Sequence, residues 1–156
     1  MIRVEMHELY YPVYYVHRIE RNEAALGFDL SGNSTRRKTH IRSLESGNVM
    51  SSSYITLIQE DRNGAGFLIF YPHYQGNKVP QSLVERREMF AGFIVCVYLI
   101  EEIIEDIIRV ETARGLSLTL YEGDRVDEKN HLYGTLIDDK AMELSFSVNI
   151  AGCPWF

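Results

Sequence analysis

Hydrophobic positions change their spacing several times along the chain, and each change marks an element. Leu9 to Val16 is aromatic and β-branched and predicts a strand. Pro12 lacks a ladder donor, which confines that strand to an edge or a bulge. Asn22 to Leu26 predicts a helical turn ended by Gly27, and Ser31-Gly32-Asn33 predicts a turn. Ser34 or Thr35 caps a predicted helix reaching Ser46, with Gly47 as its stop. Ile41 and Leu44 give that helix only a narrow apolar stripe, so its remaining, basic surface is expected in solvent. Val49-Met50 opens an extended segment, Tyr54 to Gln59 alternates like a strand, and Asp61-Arg62-Asn63-Gly64 predicts a hairpin turn. Gly66 to Tyr74 then returns as the partner strand, and a polar loop from Gln75 to Pro80 leads to a short predicted helix at Val84 to Met89.

Ala91 to Ile100 is wholly apolar and predicts a central strand buried on both faces. Ile103, Ile104, Ile107 and Ile108 form one apolar helix face, opposed mostly by Glu101, Glu102, Glu105 and Asp106, and Gly115 ends that helix. Leu116 to Tyr121 predicts a strand before the turn Glu122-Gly123-Asp124. Met142 to Ile150 alternates, with apolar residues at Met142, Leu144, Phe146, Val148 and Ile150. About five strands and two or three helices, without regular βαβ alternation, place the chain in the α+β class, an antiparallel sheet with helices packed on it.

Length and charge narrow the picture. At 156 residues the chain is expected to form a single domain over 1–156, large enough to need neither a disulfide nor a metal for its core. With 46% hydrophobic residues, disorder is excluded, and 22 acidic against 16 basic residues argue against a nucleic-acid partner. No apolar run approaches the roughly 18 residues of a membrane span, and Met1 to Glu5 lack the pattern of a signal peptide. The close on Cys153-Pro154-Trp155-Phe156, an aromatic pair within an apparent strand, reads as a domain excised from a larger protein rather than a complete cytosolic one.

Few residues suggest chemistry. Cys96 sits in an apolar run and is expected as a small core residue, while pairing with Cys153 cannot be argued from spacing. His7, His17, His40, His73 and His131 share no metal-ligand spacing and are expected on the surface or in packing; no metal or other cofactor is implied. Gly64-Ala65-Gly66 is too short for a phosphate loop. Tyr10, Tyr11, Tyr14 and Tyr15 read as sheet packing rather than a stacking platform. Asp29 stands apart, between Phe28 and Leu30 in an apolar neighbourhood. A buried carboxylate needs donors, supplied by nearby backbone N–H groups, by Arg36 or Arg37, or by a ligand.

Several segments stand together: Asn22 to Leu30 with its Gly27-Phe28-Asp29, then Arg36-Arg37 in the helix ending at Ser46-Gly47, Ile55 to Glu60, Gly66 to Tyr74, and Glu85-Arg86-Arg87 leading to Gly92-Phe93-Ile94-Val95. Their order and spacing resemble the CHASE domain, the extracellular sensory module of membrane-bound histidine kinases and nucleotide cyclases. The likeness runs from about Leu9 to Ile108, and the strand ending in Trp155 fits the family's tail. It implies a PAS-like antiparallel sheet flanked by helices, a small-molecule pocket between them, and a periplasmic or extracellular position in a membrane receptor. The transmembrane helices and most of the family's N-terminal stalk helix would then lie outside this sequence, and the intact receptor would be a homodimer. In the family's plant cytokinin receptors an aspartate binds the ligand's adenine ring. Asp29 holds the matching position, the Met50 backbone matches a second contact, and Thr56, Phe70 and Phe93 would line the cavity. Cys96 stands where many members have glycine and narrows the pocket or faces the other side of the sheet, so the plant ligand does not carry over.

The leading expectation is therefore a non-catalytic small-molecule sensor whose output is a histidine kinase, diguanylate cyclase or phosphodiesterase. A degenerate dimerisation or spacer module with a collapsed pocket is the alternative. An acid–base enzyme using Asp29 with His73 or His17 ranks third.

Overall fold

The computed structural model describes residues 10–20, 22–59, 62–76, 78–112, 117–134 and 144–156. Among them are three α-helices and several antiparallel strand pairs, an α+β arrangement. The main sheet is built on the long strand β3 (Arg62–Tyr74). One edge of β3 pairs antiparallel with β1 (Met50–Ser51) and β2 (Ile55–Gln59), and the other pairs with β4 (Phe90–Leu99). Between β1 and β2 the serine run bends the chain while keeping it tied to β3. Ser52 N donates to Leu68 O at 2.8 Å, and Leu68 N donates to the Ser52 hydroxyl at 3.0 Å, so a side chain replaces a ladder carbonyl. Pro72 lies in β3 past the end of β1, whose pairing stops at Phe70, so its missing N–H interrupts no bond to β1.

Alternation along β3 splits the core in two. Phe67, with Ala65 and Ile69, packs on Ile100, Ile104 and Ile108 of α3 (Ile100–Thr112) and on Leu132, Cys153 and Trp155. Leu68 and Phe70 face the other way, with Ile55, Leu30, Phe93 and Val95. Helix α1 (Ser34–Ser46) lies on this second face, where the Ser43 hydroxyl reaches Phe70 O. Asn33 is its N-cap, accepting from Thr35 N and Arg36 N, in place of the expected Ser34 or Thr35. Gly47 ends it at φ +74°, where a Cβ would stand 2.5 Å from Val79 Cγ1. Helix α2 (Leu83–Glu88) is held by a Ser82–Glu85 capping box. Its Arg86 donates to Glu45 O at 2.6 Å and to Pro80 O and Gln81 O at 2.9 Å, tying the end of α1 to the loop before α2.

The C-terminal strands form a smaller layer. β5 (Leu120–Tyr121) pairs with β6 (His131–Tyr133), and β7 (Val148–Ile150) pairs with β8 (Cys153–Trp155). Reciprocal backbone bonds between Tyr121 and Phe156 join the two pairs. Ser51 N donates to Ala151 O at 2.8 Å, linking this layer to β1.

Several expectations need correction. The aromatic N-terminal segment forms no extended ladder: it is tied to 27–30 by the bridge Pro12 to Asp29 and by Leu30 N to Tyr11 O, Val13 N to Phe28 O and Gly27 N to Val13 O, and Tyr14 and Tyr15 are exposed; Leu9 lies outside the described residues. Asn63 and Gly64 belong to β3, because the register pairs Gln59 with Arg62 and moves the hairpin connection to 60–61, outside the described residues. β4 is not buried on both faces. It pairs only with β3 among the described residues, and Ile94 and Val97 are 60% and 53% exposed. A run without charges signals low polarity, but it does not reveal whether a strand has neighbours on both sides. Cys96 is likewise exposed and Cys153 buried, both as free thiols. The strands expected at 116–121 and 142–150 shorten to β5 and β7; Gly115, Leu116 and Met142 lie outside the described residues.

Candidate ligand site

Arg36, Thr39, His40 and Ser43 follow the i, i+3, i+4, i+7 spacing of one helix face, and that face turns toward the sheet. Where an amphipathic helix carries aliphatic residues, α1 buries Thr39, His40 and Ser43. Burying hydroxyls is tolerable only with acceptors at hand. The Thr39 hydroxyl donates to Thr35 O at 3.1 Å, and the Ser43 hydroxyl lies 2.8 Å from Asn48 O and 3.2 Å from Phe70 O. From the sheet, the Tyr74 hydroxyl donates to Leu44 O at 2.7 Å. The Ser43 and Tyr74 bonds thus fasten the C-terminal end of α1 to β3, while the Thr39 bond stays within the helix.

His40 breaks that pattern. Its side chain is 0% exposed, and neither Nδ1 nor Nε2 has a hydrogen-bond partner. Aromatic rings surround it: Tyr11 at 4.7 Å between centroids, Phe93 at 5.8 Å and Phe70 at 6.0 Å. Burial first, and then the Arg37 guanidinium, push its pKa down to about 4 against an opposing pull from Asp29. The ring is therefore neutral at pH 7, with one N–H and one lone pair unanswered.

Asp29 organises the approach to this histidine. Oδ1 accepts from Tyr11 N at 3.1 Å, Ser31 N at 2.9 Å and the Ser31 hydroxyl at 2.8 Å, and Oδ2 lies 2.7 Å from the same hydroxyl. The carboxylate caps the 3-10 turn Leu30–Gly32 and pins the N-terminal segment, placing Tyr11 over His40. The donors expected for Asp29 thus include backbone N–H groups. Arg37 Nε donates to Ser31 O at 3.0 Å. The Arg36 guanidinium sits 4.9 Å above the Phe28 ring, and its buried Nε has no acceptor. Burial lowers its pKa, and Asp29 opposes that shift.

Of the residues singled out from sequence, Asp29, Phe70 and Phe93 gather around His40, and Met50 is the register partner of Phe70. Thr56 and Cys96 do not join them. Both are exposed, and they pair with Ala65 and Ile69 on the face that packs against α3. Cys96 therefore takes the second of its two expected orientations. His17 and His73 are exposed, and His73 points to the face of β3 away from Phe70. Sequence reasoning named Arg36 only as a donor to Asp29 and took His40 and Tyr11 as surface or packing residues, so it did not foresee them as parts of a site. The available signal was negative: α1 has almost no apolar face, so packing it must bury polar groups.

An open groove of about 490 Å³ runs along Tyr14–Glu20 and Leu26, with neither Asp29 nor His40 in its walls. Most of its lining comes from one extended stretch, without converging polar groups from separate elements. Among the described residues no cluster of His, Cys, Asp or Glu could hold a metal ion, and no helix is long and apolar enough to cross a membrane.

No curated protein matches the chain. The profile of one protein family, the CHASE domain, matches residues 2–133. That span takes in α1, the main sheet and every residue around His40, and on it the chain belongs to the CHASE domain family, the extracytoplasmic sensory domains of signalling receptors.

Proposed function

We propose that this domain senses a small molecule at the interface between α1 and the main sheet, and that it performs no chemistry on it. The observation that carries this reading is His40, fully buried among aromatic rings with both nitrogens unpaired. Buried polar atoms in native proteins nearly always have partners. An unpaired buried donor or acceptor costs about 1–3 kcal/mol, so the closed arrangement is held against a local penalty that a ligand could remove. A ligand shifts such an equilibrium only by the difference in its affinity for the two states. Pairing His40 in an opened α1–sheet interface supplies that difference. Membership in a receptor family supports the wider role: a histidine kinase, diguanylate cyclase or phosphodiesterase receptor, working as a homodimer, would read the displacement.

A thermal-shift screen of the 156-residue chain against adenine derivatives, amino acids, carboxylates and small peptides tests the proposal, with His40→Phe run in parallel. A ligand at 100 times its dissociation constant stabilises the fold by about 2.7 kcal/mol. Hits that disappear in His40→Phe support the site. Hits that persist in it place the ligand elsewhere. Silence across the screen favours the collapsed spacer module, a reading that the full burial of His40 also fits.

A further inference from the structure

We infer that the ligand carries a carboxylate, held between Arg36 and His40. This assignment rests on the α1 face being the ligand site and goes on to name the chemical class. Among the described residues, four buried side-chain polar atoms lack a partner: Arg36 Nε, both His40 nitrogens and His131 Nε2. Three of the four lie on one face of α1, one turn apart, where residues i and i+4 are neighbours. Each orphan alone would be an ordinary exception, but their adjacency points to a common missing partner.

The donor inventory identifies that partner. Arginine Nε–H can only donate, and a neutral imidazole offers one donor and one acceptor. The pair therefore offers two N–H donors one helical turn apart, and a carboxylate has an oxygen for each; the imidazole's acceptor nitrogen is left to the surrounding rings. Charge points the same way: the Arg36 guanidinium is positive beside a neutral His40, and Asp29 already accepts from Tyr11 N, Ser31 N and the Ser31 hydroxyl. The rings of Phe28 beneath Arg36 and of Tyr11, Phe70 and Phe93 around His40 suit an apolar or aromatic body. The assigned class is a small organic monocarboxylic acid.

The test pairs acids with their neutral amides: benzoate with benzamide, phenylacetate with phenylacetamide and hexanoate with hexanamide, with benzylamine as a cation. All are added to the full chain at matched ionic strength, and thermal stability and titration calorimetry are read. At least one acid should stabilise the parent while its amide does not. Arg36→Gln should weaken that acid about 10–100-fold, as expected for a lost charge-assisted bond. Arg36→Lys, which keeps the charge but loses the Nε geometry, should fall between them. Amides that bind as well as their acids would overturn the carboxylate assignment and leave the site standing. Stabilisation by benzylamine would reverse its sign. An acid response unchanged in Arg36→Gln would mark a nonspecific anion effect and overturn it. Silence of every acid would also overturn it, and the wider screen then decides separately whether the α1 face binds anything.

Discussion

Replacing His40 with phenylalanine should make the protein more stable, and increasingly so in acid. The neutral imidazole holds one donor and one acceptor with no partners, in a site walled by Tyr11, Phe70 and Phe93. Each unpaired group costs about 1–3 kcal/mol, and the larger phenyl ring returns about 1–3 kcal/mol through overpacking. The net gain at pH 7 is about 2 kcal/mol, or roughly 4–8 °C in Tm for a chain of this size. Acid adds a second, independent contribution. The folded-state pKa of His40 is about 4, below the ordinary 6.5 of an unfolded histidine. As pH falls, the unfolded chain takes up the proton first. The stability associated with the neutral ring is therefore complete above pH 6.5 and is lost as pH falls to about 4, in all about 3 kcal/mol. Phenylalanine has no such titration, so the gap between variant and parent should widen to about 5 kcal/mol at pH 4. Urea denaturation of both proteins at pH 7, 5.5 and 4 measures the gap directly. A variant less stable at pH 7, or a gap that does not change with pH, would refute the account of His40 as a buried, unpaired imidazole.

Two further substitutions test how the site is framed. Asp29→Ala strips the acceptor from Tyr11 N, Ser31 N and the Ser31 hydroxyl and should cost about 1–3 kcal/mol. The urea midpoint should fall with an unchanged m-value, and an unshifted midpoint would mean that the N-terminal segment is not held through this carboxylate. Gly134→Ala should be worse, at about 3 kcal/mol or more, because φ is +89° and the new Cβ would stand 2.0 Å from the Leu118 carbonyl oxygen. A Gly134→Ala protein within 1 kcal/mol of the parent would show that the backbone at 118 and 134 can separate freely.

The frame was legible in the sequence where spacing and punctuation agree. Gly47 stops α1, a short helix forms near the expected Val84 to Met89, and Ile104 and Ile108 turn α3 to the core, each from a local rule that the tertiary structure respects. The hairpin of β2 and β3 was visible too, but its turn was misplaced because Asn63-Gly64 mimics a hairpin signal inside β3. Local rules fail where the neighbour is distant in sequence. Exposure of Ile94 and Val97 depends on what lies beside β4, and burial of His40 depends on Phe70 and Phe93 arriving from two later strands. Asp29 stood out by its apolar neighbours, and Phe70 and Phe93 came from the family resemblance rather than from periodicity. His40 came from neither, since a histidine among basic residues on a helix with only a narrow apolar stripe reads as a surface or packing residue.

The mode of attachment of α1 bears on how the site responds to temperature. Unfolding apolar contacts raises the heat capacity, whereas exposing polar groups lowers it. Ser43, Tyr74 and Arg86 fasten α1 through hydrogen bonds, and the released hydroxyls, carbonyls and guanidinium would be taken up by water. Lifting α1 therefore exposes polar surface along with the rings around His40, and the two contributions to heat capacity have opposite signs. The enthalpy of such an opening changes less with temperature than that of an opening with only apolar contacts, so its balance curves less. The steepness of that drift would then be set by the enthalpy of the hydrogen bonds that hold α1, not by the apolar rings beneath it.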